Sequence, residues 1–197
     1  MRVNTRIAAT VALGLALASS SGIAGCSSET ASSGSAPAQE QIQETQETPA
    51  KPEGMTASQE QAYNKAQQYL STMPFSYSGL ISQLEFDKFS TEDATFAADN
   101  CGADWSEQAL KKAEQYIKTM PLSQSGLADQ LVFDGFSEDD ANNAAANCGA
   151  DWSEQAAKKA QRYLDTMSFS HDGLVDQLMF DGFTQEEAEY GVSQTGI

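Results

Sequence analysis

Asn100–Ala109 reads NCGADWSEQA, and Asn147–Ala156 reads NCGADWSEQA again, letter for letter. Working outward from the two copies, Gln61, Gln108 and Gln155 recur every 47 residues, and the same step aligns Tyr69, Tyr116 and Tyr163. Met73, Met120 and Met167, Gly79, Gly126 and Gly173, and Phe89, Phe136 and Phe183 keep the register. A fixed period of this length marks tandem structural units stacked on their neighbours. Three units follow, at 58–104, 105–151 and 152–197, and the decapeptide occurs twice because three units have two seams.

Each unit reads as three short helices, so the expected fold is all-α. The first carries Ala109, Ala113, Tyr116, Ile117 and Met120 at helical spacing, a stripe repeated by Ala156, Ala160, Tyr163, Leu164 and Met167 and by Ala62, Ala66, Tyr69, Leu70 and Met73. That stripe is expected to face the core. Pro74 and Pro121 stop the helix in the first two units, and Ser76, Ser123 and Ser170 are placed to cap a second helix with an inward leucine pair, Leu127 with Leu131 in the second unit. A tight turn follows, with Gly135 and Gly182 where a left-handed residue is needed and Lys88 in the first unit. Ser90 with Asp93, Ser137 with Asp140, and Thr184 with Glu187 predict capping boxes on a third helix, whose inward face is alanine.

Two helices joined by a glycine turn suggest a DNA-reading motif, but the charges exclude it. Between Thr91 and Asn100, Glu138 and Asn147, and Gln185 and Gln194 there is no Lys or Arg. The whole chain carries 11 Lys and Arg against 28 Asp and Glu, a net charge of −17, which repels nucleic acid and favours a basic protein partner.

The N-terminus reads as a targeting segment. A basic start with Arg2 and Arg6 precedes an apolar run over 7–18, too short for a permanent membrane span, and then Ile23-Ala24-Gly25-Cys26 resembles the lipobox of bacterial lipoproteins. Residues 1–25 are therefore expected to be a signal peptide and Cys26 the site of lipid attachment, which anchors the protein to the membrane at the cell surface. Residues 26–57 are rich in Ser, Thr, Gln, Glu and Pro and predict a disordered tether, with an r.m.s. span on the order of 30 Å.

Glu154-Gln155-Ala156-Ala157-Lys158-Lys159-Ala160, Tyr163 to Ser170, Gly173 to Leu178, and Phe180-Asp181-Gly182-Phe183-Thr184 together resemble the Ltp-like repeat of host cell surface-exposed lipoproteins. The resemblance covers all three units and, with the lipobox, nearly everything but the tether. It implies helix-turn-helix-like repeats on a surface lipoprotein, often prophage-associated. Some members act in superinfection exclusion, blocking injection of incoming phage DNA, and the family brings no active site with it. An alternative role is a host adhesion or envelope-protein interaction module unrelated to phage.

Glu138, Asp139 and Asp140, with Glu186 and Glu187, are the candidate acidic interaction face, suited to a basic phage tail component near the bilayer. Such residues also complement the dipole at a helix N-terminus and solubilise the repeats. No catalytic, cofactor-binding or metal-ligating set is expected. His171, the single histidine, sits where the other units have Tyr77 and Gln124 and has no plausible Ser-His-Asp or Cys-His partner set, and Asp134-Gly135 and Asp181-Gly182 lack the spacing of a calcium loop. Cys101 and Cys148 read as two buried thiols, with a bridge between them as the alternative. Trp105 and Trp152 open the helix after each seam and read as couplers that pack one repeat onto the next.

Overall fold

The computed structural model describes residues 52–197; the expected signal peptide, Cys26 and the expected tether as far as Lys51 lie outside the described residues. Among the described residues there are nine helices and no strand. They fall three to a unit: α1 (Ala57–Thr72), α2 (Tyr77–Phe86) and α3 (Thr91–Asn100); α4 (Trp105–Thr119), α5 (Gln124–Phe133) and α6 (Glu138–Asn147); α7 (Trp152–Thr166), α8 (His171–Phe180) and α9 (Gln185–Ser193). No helix among the described residues is long and apolar enough to cross a membrane.

Each unit closes its own core. In the second, Ala109 and Ala113 of α4, Leu127 and Leu131 of α5, Ala141, Ala144 and Ala145 of α6, and Phe136 are buried together. The first and third units repeat this with Leu80 and Leu84, and with Leu174 and Leu178. The first and third helices of a unit meet through alanines on both sides, and small side chains let their backbones come close. The third unit varies the fit: Gly191 and Val192 stand where the others have Ala97-Ala98 and Ala144-Ala145. A Cβ on Gly191 would lie 2.7 Å from the Ala156 carbonyl carbon, so α9 sits closer to α7 there and the larger Val192 refills the space beside it.

The second helices are capped as the sequence suggests. Ser76, Ser123 and Ser170 accept from the backbone N–H of Gly79, Gly126 and Gly173. Lys88 takes φ +75°, beside +88° for Gly135 and +90° for Gly182.

Two expectations need correction. Met73 and Met167 are half exposed, because they are C-cap residues with extended backbone and their side chains leave the helical stripe where the helix ends. The capping box on the third helix forms in full only at Thr184–Glu187. Asp93 and Asp140 are a methylene shorter than Glu and accept instead from the Ser90 and Ser137 hydroxyls. At the seams Asp104 and Asp151 cap α4 and α7, and Glu107 and Glu154 pair forward with Lys111 (2.7 Å) and Lys158 (3.9 Å). In the first unit Thr56 and Gln59 form a complete capping box on α1, which starts at Ala57.

Candidate functional site

The seams are built from backbone as much as from side chains. The Ser76 hydroxyl, while capping α2, donates to the Asp134 carbonyl (2.6 Å), and Ser78 donates to the Gly135 carbonyl (3.0 Å). One repeat later Ser123 donates to the Asp181 carbonyl (2.6 Å) and Ser125 to that of Gly182 (3.1 Å). The start of one unit's second helix therefore docks on the turn after the next unit's second helix. Trp105 adds an apolar contact, since it belongs to α4 yet packs against the first unit's core and meets the Tyr77 ring edge-on at 5.5 Å. Trp152 packs likewise against the second unit's core.

On the far side of the second seam lies an open cleft of about 530 Å³ between the end of α4 and the exposed face of α7. Gln155 Nε2 donates to the Ile117 carbonyl (3.3 Å) there, and Arg162 donates to that of Thr119 (3.2 Å). Gln108 holds the matching place at the first seam.

A second repeated constellation was read in sequence only as core stripe and turn. Tyr69, Tyr116 and Tyr163 donate to Asp87 (2.6 Å), Asp134 (2.5 Å) and Asp181 (2.7 Å), the residues that end the second helices. Lys65, Lys112 and Lys159, one turn before each tyrosine, pair with the same carboxylates and lie over the same rings. The clue was present as a Lys four residues before each Tyr and an Asp eighteen after it, a pattern that has no meaning until the turn brings the two helix ends together. The set ties the first helix to the turn and spends the aspartates on structure.

Burial, and then the hydrogen bond to Asp134, pushes the Tyr116 hydroxyl up to about 12. Tyr163 is raised by the same causes, with Asp181 as its partner. A group held protonated in the fold supports stability fully below the ordinary tyrosine value near 10 and loses that support as pH rises through the folded value. Melting temperature should therefore fall between about pH 10 and 12, with a late tyrosinate absorbance step that Tyr116→Phe diminishes. A melting temperature flat across that range would refute the assignment.

The acidic candidates divide into two groups. Asp140 is engaged within its own unit, accepting from Ser137 and from the Ser106 hydroxyl of α4, and Glu187 accepts from the Thr184 backbone N–H (2.9 Å). Glu138, Asp139 and Glu186 stand exposed at the helix starts. His171 is also exposed and meets the neighbouring Asp172 at 3.1 Å. Among the described residues no cluster of three or more His, Cys, Asp or Glu is placed to hold a metal ion.

Cys101 and Cys148 are free, buried thiols in separate cores. Each donates to a carbonyl three residues back, Ala98 (3.2 Å) and Ala145 (3.5 Å), as the Thr195 hydroxyl does to Val192 (2.6 Å). Burial raises the Cys101 thiol above its ordinary value, which keeps it protonated and unreactive.

The array matches the family described as host cell surface-exposed lipoprotein at residues 57–101, 104–147 and 151–194, one match per unit and together more than half the chain. The chain belongs to this family. Family membership carries a surface location and a lipoprotein character, and the three matches coincide with the three helical units. A solved structure titled as Ltp, a superinfection exclusion protein from the Streptococcus thermophilus temperate phage TP-J34, is 47% identical over 45% of this chain and 92% of its own, with a TM-score of 0.43. No curated protein matches the chain.

Proposed function

We propose that this lipoprotein is a non-enzymatic binding module, held at the cell surface through Cys26, that excludes superinfecting phage by engaging a basic component of the injection apparatus. The observation that supports this reading is the segregation of charge. Every Lys and Arg among the described residues lies on α1, α4 or α7, with Lys88 the one exception, so the second and third helices of all three units offer only acidic charge. A surface of one sign steers a partner of the other and holds it close to the bilayer, where DNA must enter.

The test is a plating assay that scores DNA injection separately from adsorption. Wild type should block injection while leaving adsorption intact, and Cys26→Ala should abolish the block by removing the anchor. Reversing Glu138, Asp139 and Glu186 to Lys leaves the structural acids Asp140 and Glu187 in place and should raise plating at least about tenfold, the effect of roughly 1.4 kcal/mol of binding. Plating unchanged by that reversal would sink the mechanism.

A further inference from the structure

Every unit ends its second helix on a phenylalanine left in solvent: Phe86 is 75% exposed, Phe133 85% and Phe180 88%. Three residues on, Phe89, Phe136 and Phe183 turn inward and join the three cores. A lone exposed apolar side chain needs no explanation. The same large ring left out at the same position three times does, because a polar residue there would lose no packing. Val132 and Met179 widen the patch in the second and third units, where they are 40% and 43% exposed.

The surroundings of Phe133 and Phe180 are acidic, whereas Phe86 has Lys88 two residues on. Asp129 and Asp176 are exposed one helical turn before Phe133 and Phe180 and share their faces. Ser82 has that place in the first unit. Neither α2, α5 and α8 nor the third helices α3, α6 and α9 carry a Lys or Arg.

We propose that Phe86, Phe133 and Phe180 are the anchors of a docking surface for a basic polypeptide segment that carries large apolar side chains among its lysines or arginines. Aromatic anchors supply the apolar contact and the surrounding carboxylates select the sign of the partner's charge. The charges also decide against two other occupants. A second copy, at −17, would set acid against acid. A bilayer would draw the exposed Asp129 and Asp176, which share the faces of Phe133 and Phe180, toward the lipid phosphates. The surface rests on the exclusion reading only for the partner's source, an incoming phage.

The test uses the full lipidated chain in zwitterionic nanodiscs, with empty discs as background. Its probe is a synthetic peptide of lysine and leucine spaced by serine, and its control is the same peptide with each leucine replaced by serine. The triple variant Phe86→Ser, Phe133→Ser, Phe180→Ser should bind the lysine–leucine peptide at least about tenfold more weakly than wild type, while the two proteins bind the control alike. Circular dichroism checks that helicity is kept, and the three single variants replace the triple if it is not. The proposal is overturned by undiminished binding by the variant, by an equal loss for both peptides, or by protection of the 130–136 amides by the disc alone, which would assign the rings to the bilayer. Self-association of wild type that the variant abolishes would overturn it in favour of a second copy. In cells the triple variant should lose exclusion. Wild type that fails to exclude would remove the phage reading and leave the peptide result to judge the surface by itself.

Discussion

Gly135→Ala should lower stability by roughly 2–4 kcal/mol, and the loss should fall on the unit before the substitution as well as on its own. The backbone at Gly135 has φ +88°, where a side chain costs about 1 kcal/mol. The new Cβ would also fall inside contact distance of the Ser78 hydroxyl and 3.0 Å from that of Ser76. Those serines can give way only by releasing the Asp134 and Gly135 carbonyls, at about 0.5–1.5 kcal/mol for each hydrogen bond. Ser76 is at the same time the cap of α2, so a change in the second unit loosens a helix in the first. Gly182→Ala should do the same to α5 through Ser123 and Ser125.

Lys88 is the natural control. It has the same left-handed backbone, but no unit precedes the first among the described residues and no serine docks on its turn. Lys88→Gly should gain about 1 kcal/mol and change nothing at a seam. Thermal unfolding of Gly135→Ala in a background already carrying Ser76→Ala and Ser78→Ala separates the two terms. There the cost should shrink to the backbone part alone. A cost of the same size in both backgrounds would show that the serines play no part.

The units, their helices and the place of their joints were legible because they depend on local chemistry. A 47-residue period, a serine before each second helix and a glycine after it are signals a single strand of text can carry. The partners of those signals were not legible, since Ser76 reads as a cap and only folding shows that its hydroxyl also reaches Asp134 in the next unit. Two departures from the repeat could have pointed there. Gly135 and Gly182 face a Ser-x-Ser of the unit before, whereas Lys88 has none to face; and the third unit, whose turn-side serines meet no further unit among the described residues, has Asp172 in place of the second serine of the pair.

The acidic surface was legible as charge but not as geometry. Asp140 and Glu187 look like Glu138 and Glu186 in sequence, yet the first pair hold the helix starts and the second pair face water. The methionines were misplaced for a related reason. A periodic stripe cannot say where the helix stops, and Met73 lies just past that point.

Trp105→Ala should split a cooperative unfolding transition in two, with the first unit melting ahead of the others. The ring is the first residue of α4 but fills a place in the core formed by Ala62, Ala66 and Leu80. Because it is half buried, its loss should cost about 2–3 kcal/mol in apolar contact, below the range for a fully buried aromatic. The edge-on contact with Tyr77 adds roughly 0.5–1.5 kcal/mol. Trp152→Ala removes an equivalent ring at the second seam, but there Gln124 stands in place of Tyr77, so the aromatic pair is missing and the cost should be smaller by that amount. Calorimetry on the two variants decides the matter. Interface energy between neighbours is what makes separate units unfold together, so removing it must expose their individual stabilities. A single transition for Trp105→Ala, merely shifted to lower temperature, would mean that the serine-to-carbonyl contacts alone carry the coupling.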